Sequence, residues 1–394
     1  MPWKTNKQQE QRYDLVRALG RGQVSISELA EQFGVSRKTV YKWRRRYRAG
    51  GLRALVDRSR RPEHVPTRTA RIWQQRLRRL RRRRMTWGAR KLRHVLGERH
   101  GWAGLPAVVT WNRWLRRWGM VRRQRRRLKG PVVLRARLRL ARYSHEVMTA
   151  DFKGWYRTGD GSRVDALTVR DLFSRYGLRV VLVRDQRMAT VQREFIKIFR
   201  KHGLPKRIRT DNGTPFGGGG PTGLTRLSAW WVKLGIIVEF ITPGRPCENG
   251  AHEQFHRVYK AEVACPPAAN RLAQQRRSDR WLRSYNEERP HEALGMKVPA
   301  ECYRKSRRRF PSKLKPWRYP KGWVRRWVKG NGEIAWQGSR RFVGEAFIKD
   351  YVGLKPIRKG VWWVYFGPIL IGEMHENETG NIRTARLVKN RQAG

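Results

Sequence analysis

The chain has 394 residues, with 91 Lys+Arg against 30 Asp+Glu, a formal net charge of +61 and a sequence pI near 11.7. So large an excess of one sign repels itself in a compact fold unless something neutralises it, so a polyanionic partner is expected, nucleic acid phosphates above all. No apolar run is long enough to cross a bilayer, and Cys247, Cys265 and Cys302 form no C-x-x-C pair, so the sequence predicts no membrane helix, disulfide framework or cysteine zinc site.

The first elements predict a helix-turn-helix in residues 1–60. In "VSISELAEQFGVSRKTVYKWRRRYRAGG" Ser25 and Glu28 have capping-box spacing, and Leu29, Ala30 and Phe33 give a short helix its apolar side. Gly34 supplies a turn and Ser36 caps a second helix carrying Val40, Trp43 and Tyr47 at helical spacing. Ser36, Arg37, Lys38 and Lys42 are the candidate DNA contacts, since the second helix of such a motif lies in the major groove.

A Pro- and Arg-containing stretch then leads to a second helical module over residues 65–128. Leu92, Val95, Leu96, Trp111, Trp114, Leu115 and Trp118 are expected to face inward, and the tryptophans read as core more than as base-stacking residues. Between Glu63 and Glu146 the only acidic residue is Glu98, and residues 129–146 form a basic connector suited to tracking phosphates.

Composition changes near Val147. "VMTADFKGWYR", "ALTVRDLFSRYGLRVVLV", "KRIRTDNG" and "IIVEFITPG" read as strands, interleaved late in the series with helices, which predicts a mixed sheet flanked by helices over residues 147–303. Three carboxylates stand out there: Asp151 within the first strand, Asp211 where the fourth strand ends, and Glu253 early in a late helix. Asp165 and Asp171 are rival carboxylates, and Asp160 in "TGDGSR" reads as a turn residue.

The segments "TADFKG", "TDNGTPF", "TPGRPCENGAHEQFHRVYKAE" and "YNEERPHEALGMKVPAECY" resemble the catalytic core of insertion-sequence transposases in the retroviral-integrase superfamily, the DDE recombinases. The resemblance implies an α/β RNase H-like core in which Asp151, Asp211 and Glu253 are the catalytic and metal-binding residues, holding two Mg²⁺ ions for which Mn²⁺ can substitute. It implies a transposase that binds the terminal repeats of its element, hydrolyses phosphodiester bonds and joins 3′ ends to target DNA. The partners implied are double-stranded DNA, as element ends and target, and further copies of the chain assembled on it, with no membrane; the setting implied is a bacterial cytoplasm, at the nucleoid. The interval between Asp211 and Glu253 exceeds the family's usual one, and "GGGGPTG" is where an extra loop would fit. The alternative is a DNA-binding regulator whose integrase-like core is inactive.

His252, Glu253 and His256 also spell H-E-x-x-H, the helical zinc-protease signature. The extended form fails, because Glu262 stands where a third histidine belongs, and no zinc is expected. Glu253, Arg257 and Lys260 share one helix face, which suits a metal carboxylate beside DNA-binding cations, whereas Phe255, Val258 and Tyr259 make an apolar side. Glu248 precedes the expected cap Asn249 and reads as a loop acid. Residues 316–394 alternate apolar and polar positions between glycine-containing turns, which predicts a small C-terminal β-barrel.

Overall fold

A computed structural model of the chain describes residues 8–59, 69–121, 140–218, 222–242 and 249–385. Residues 129–139 of the expected basic connector, the middle of "GGGGPTG", and Cys247 and Glu248 lie outside them. The chain divides into two compact units, Met1–Thr69 and Ala70–Gly394.

The first unit holds α1 (Gln8–Gly20), α2 (Ile26–Gln32) and α3 (Arg37–Gly50). The capping box forms as its spacing predicts: the Glu28 backbone N–H donates to Ser25 Oγ at 3.3 Å and the Ser25 N–H to Glu28 Oε2 at 2.8 Å. Gly34 turns the chain at φ +64°, a conformation that side chains with a Cβ resist, and Ser36 Oγ accepts the Thr39 N–H at 3.3 Å to start α3. Leu15, Leu29, Val40, Trp43 and Leu55 pack together as its core.

The second unit begins with α4 (Arg71–Arg83), α5 (Ala89–His94), which runs on as a π-helical turn Val95–Arg99, and α6 (Val108–Arg117). Leu77, Trp87, Leu92, Val95, Leu96, Trp111 and Leu115 are buried among them, with Trp114 and Trp118 partly buried against the cluster. The tryptophans are thus used mainly as packing.

Next come β1 (Val147–Arg157), β2 (Arg163–Asp171), β3 (Gly177–Val183), α7 (Met188–His202), β4 (Arg207–Thr210), α8 (Arg226–Lys233), β5 (Ile237–Phe240), α9 (Gly250–Tyr259) and α10 (Arg271–Glu287). The strands form one sheet in the order β3-β2-β1-β4-β5, antiparallel across β1, β2 and β3 and parallel across β1, β4 and β5. This is the mixed sheet the sequence predicts. Successive side chains point to opposite faces, so β2 and β3 serve two cores. Met148, Ala150, Leu167, Val169 and Ile208 pack with Phe195 and Phe199 of α7 and Leu227 and Trp231 of α8. Val164, Ala166, Val180 and Leu182 pack with Phe255 and Tyr259 of α9 and Tyr285 of α10.

The C-terminal part differs from the closed barrel expected of it. β6 (Val324–Trp327), β9 (Tyr351–Arg358), β10 (Val361–Phe366), β11 (Ile369–His375) and β13 (Arg383–Thr384) form one sheet, and β7 (Glu333–Trp336), β8 (Ser339–Phe342) and β12 (Gly380–Asn381) form another. Both sheets are open among the described residues. Their shared core takes in Leu224, Ala229 and Val232 from and beside α8, and Lys233 Nζ reaches Asp350 Oδ2 at 2.5 Å. The apolar pattern is satisfied by packing on a helix of the preceding domain, so the strands need not close on themselves.

Candidate active site

Asp151 lies on β1 opposite Thr168 of β2. The parallel register of β1 and β4 pairs Val147 with Arg207 and Thr149 with Arg209. Continued by two residues, it sets Asp211, just past β4, beside Asp151 on the same face. That face is the one α9 covers, and Glu253 stands exposed in the first turn of α9. The three acids therefore come from three elements that the sheet brings together.

Their proximity shows in the electrostatics. The Asp151 carboxyl is pushed up from 3.8 to about 7, first by burial, then by the negative charge of Asp211, with Glu253 adding to it. A carboxylate held this way costs free energy unless a proton or a cation accompanies it. Asn249 Nδ2 donates to Asp151 Oδ2 at 3.4 Å, so the residue expected to cap α9 with its side chain turns that side chain to the acid instead.

The rival carboxylates have other partners. Asp171 accepts the His145 N–H at 2.8 Å and the Ser174 N–H at 2.8 Å, closing the turn after β2. Asp165 accepts from Gln186 Nε2 at 2.8 Å, and Asp160 accepts the Thr158 hydroxyl at 2.6 Å within its turn, as the sequence predicts.

The H-E-x-x-H motif is assembled unlike a zinc-protease site. His252 is fully buried, and both its ring nitrogens are taken: Nδ1 lies 2.8 Å from Thr149 Oγ1 and Nε2 lies 2.6 Å from Thr168 Oγ1. His256 Nε2 meets the same Thr168 hydroxyl at 2.7 Å, while its Nδ1 lies 3.8 Å from Asp151 Oδ2. Burial lowers the affinity of both rings for a proton, that of His256 to about 3, with Arg170 acting the same way on both and Lys153 on His256. Glu253 sits on the helix surface between them, away from the histidine side. Nothing local in the sequence assigns either histidine this anchoring role. Their anchoring threonines lie 84 to 103 residues away, so only the tertiary structure could reveal it.

Asp151, His252 and His256 are nonetheless a group whose ligand atoms approach within 4.8 Å of one another. Arg257 and Lys260 are exposed, on the face predicted for them. In the N-terminal unit Ser36, Lys38 and Lys42 line an open groove with Tyr41, Arg45 and Arg48, and Arg37 is exposed beside them.

Comparison with known proteins places these parts. Residues 11–63 match a helix-turn-helix domain, 39–115 a homeodomain-like domain, 234–299 an integrase core domain, and 324–380 the C-terminal domain of IS481 family transposases. An uncharacterized 31.7 kDa protein of insertion element IS407 from Burkholderia multivorans is 31% identical over 225 residues, 57% of this chain and 78% of that protein. An uncharacterized 39.2 kDa protein of insertion element IS476 from Xanthomonas euvesicatoria is 30% identical over 181 residues, 45% of this chain and 50% of that protein. Among solved structures, the magnesium complex of the HTLV-2 integrase catalytic core domain aligns with 42% of this chain and all of its own, at a TM-score of 0.34 and 15% identity. The BIV integrase catalytic core domain aligns with 40% of this chain and 93% of its own, at 0.31 and 17%. With its integrase core, its transposase C-terminal domain and relatives encoded by insertion elements, the chain belongs to the insertion-sequence transposases of the integrase superfamily.

Proposed function

We propose that the chain is a metal-dependent polynucleotidyl transferase that binds its element's terminal repeats, hydrolyses a phosphodiester bond there and joins the freed 3′ end to target DNA. What supports this reading is the strand register that sets Asp211 beside Asp151, together with the negative charges of Asp211 and Glu253 that help raise the Asp151 carboxyl. Oxygen ligands on a face open at Glu253 suit hard divalent cations that retain waters, and the mutual repulsion of the acids is what such cations relieve. When bound, two Mg²⁺ ions supply Lewis-acid stabilisation on both sides of the phosphorus.

The chain's own groups do the rest. Asp151, Asp211 and Glu253 would hold the ions, and Asn249 orients Asp151 by donating to it. Arg257 and Lys260 on the exposed side of α9 bind and position the phosphate backbone. Ser36, Arg37, Lys38 and Lys42 read the element end, with further copies of the chain joining on the DNA. His252 and His256 pin α9 to the sheet through Thr149 and Thr168, which fixes the helix that carries Glu253.

The test is single-turnover cleavage and joining of labelled element-end DNA with Mg²⁺ or Mn²⁺. Asp151→Asn, Asp211→Asn and Glu253→Gln should each abolish both steps while DNA binding persists. Full activity in any of the three removes that residue from the site. A wild-type chain that binds end DNA without cleaving it would make this protein a regulator with an inactive core.

A further inference from the structure

Among the described residues His256 has one nitrogen without a hydrogen-bond partner, and the donors and acceptors around it fix which one and in what state. The Thr168 hydroxyl touches three groups: the Asp151 carbonyl oxygen at 3.0 Å, His252 Nε2 at 2.6 Å and His256 Nε2 at 2.7 Å. A hydroxyl has one proton to give and two lone pairs to offer. The carbonyl can only accept, so the proton goes there and both imidazoles donate N–H from Nε2. His252 then accepts the Thr149 hydroxyl at its Nδ1 and is complete. His256 is left with a bare lone pair at Nδ1, on a residue 8% exposed, aimed at a carboxylate oxygen 3.8 Å away.

Once Asp151 is ionised the two atoms face each other as lone pairs, and 3.8 Å is too long for a hydrogen bond. It is the right span for one cation. Two metal–ligand bonds of about 2.1 Å reach at most about 4.2 Å apart, so a single ion fits between these atoms with a bent ligand–metal–ligand angle. His252 cannot join, since neither of its nitrogens is free, and this separates the arrangement from a two-histidine zinc site.

We infer that His256 supplies a nitrogen ligand, through Nδ1, to the divalent ion carried by Asp151. The inference rests on the reading of Asp151 as a metal ligand and adds to it a ligand of a different chemical kind. Imidazole favours transition metals over Mg²⁺, whose preference is for oxygen. Mn²⁺, the weakest nitrogen binder of the first-row series, should still gain more from His256 than Mg²⁺ does, so the Mn²⁺-over-Mg²⁺ margin should shrink when His256 is replaced.

The experiment is Mn²⁺ binding to the full chain, followed by electron paramagnetic resonance for affinity and by electron spin-echo modulation for directly coordinated nitrogen. The wild type should show imidazole-nitrogen modulation that changes when the protein is made with isotopically labelled histidine. His256→Gln should lose the modulation and weaken Mn²⁺ binding by at least the roughly 10–100-fold that loss of a lesser, outer partner costs. Mg²⁺ affinity, read by competition, should fall much less. His256→Asn serves if the glutamine variant does not fold, and labelling the wild type tests for a histidine ligand without any variant. Modulation that survives in either variant, or no nitrogen signal in the wild type, overturns the inference. If Asp151→Asn abolishes Mn²⁺ binding while His256→Gln leaves it intact, the inference fails and the function reading stands. If Asp151→Asn binds Mn²⁺ like the wild type, the function reading itself is what has failed.

Discussion

Arg289 Nη1 donates to Glu262 Oε1 at 2.9 Å, and this pair joins the stretch after α10 to the π-helical turn that extends α9. Glu262 also accepts the Trp281 indole N–H at 2.5 Å and the Thr86 hydroxyl, which ties it to the helical module ahead of the sheet. Arg289 is almost fully buried. Removing Glu262 leaves its charge without a partner, which costs more than the pair contributes. Glu262→Gln is expected to lower the stability of the full chain by about 3 kcal/mol. Arg289→Met in the same chain should recover part of that loss, as a double-mutant cycle by chemical denaturation would read. Strict additivity would mean that the two side chains do not act as a pair.

Lys91 gives a pH signature from the same region. Burial first, and the neighbouring Arg289 second, push its ammonium down from 10.5 to about 8. Between those values the unfolded chain holds a proton that the folded chain has released, so stability should rise with pH across that window. The rise attributable to Lys91 is at most about 3 kcal/mol. Lys91→Met should be more stable than the wild type at pH 7 and should converge with it above pH 10. Parallel stability curves for the two proteins from pH 7 upward would show that the lysine stays charged in the fold.

Asp151 should behave in the opposite sense. Its folded carboxyl titrates near 7 and its ordinary value is 3.8, so the native state keeps a proton that the unfolded chain has lost between those values. Stability without metal should fall as pH climbs through that window. Asp151→Asn should therefore be more stable than the wild type by about 1–3 kcal/mol at pH 8 in chelator. Added Mn²⁺ should raise the unfolding midpoint of the wild type only. A variant less stable than the wild type in chelator would mean that Asp151 is a structural acid.

DNA binding should separate affinity from selectivity. Six to ten phosphate contacts would cost roughly 10³–10⁵ in affinity between 50 and 200 mM salt. Arg37→Ala combined with Lys38→Ala should erase discrimination between element-end and random DNA while leaving much of the nonspecific affinity. Competition fluorescence anisotropy on the two DNAs checks this, and unchanged discrimination would move recognition to α6.

Local signals in the sequence were legible where the physics is local. Ser25 with Glu28, Gly34 and Ser36 each describe a hydrogen bond or a backbone angle settled within four residues, and each is found in the structure. Asp151 and Asp211 were legible as strand positions, and the register of β1 with β4 sets them side by side. The histidines were not. A buried His donating to a threonine on another strand leaves the same letters as a solvated one, and helical spacing alone set neither His252 nor His256 on the inner side of α9. The Glu262 network was illegible for the same reason, since its partners span residues 86 to 289. A closed barrel is not found among the described residues, because alternation shows that a strand has an inner face but not what will cover it.

Part of what covers those strands is α8, a helix buried along most of its surface, with Arg226 exposed and Lys233 partly so. Leu227, Ser228, Ala229, Trp230, Trp231 and Val232 are all buried, Leu227 and Trp231 against the central sheet and Ala229 and Val232 against the C-terminal strands. A helix that buries apolar residues toward two different sheets needs both neighbours to stay covered. The chain beyond residue 316 is therefore not a detachable accessory. A shortened chain ending there would bare Ala229 and Val232 and leave Lys233 without Asp350. Exchanging the C-terminal strands between related elements would require α8 to be inherited with them, so recombination between such genes should find viable junctions ahead of residue 226 rather than after it.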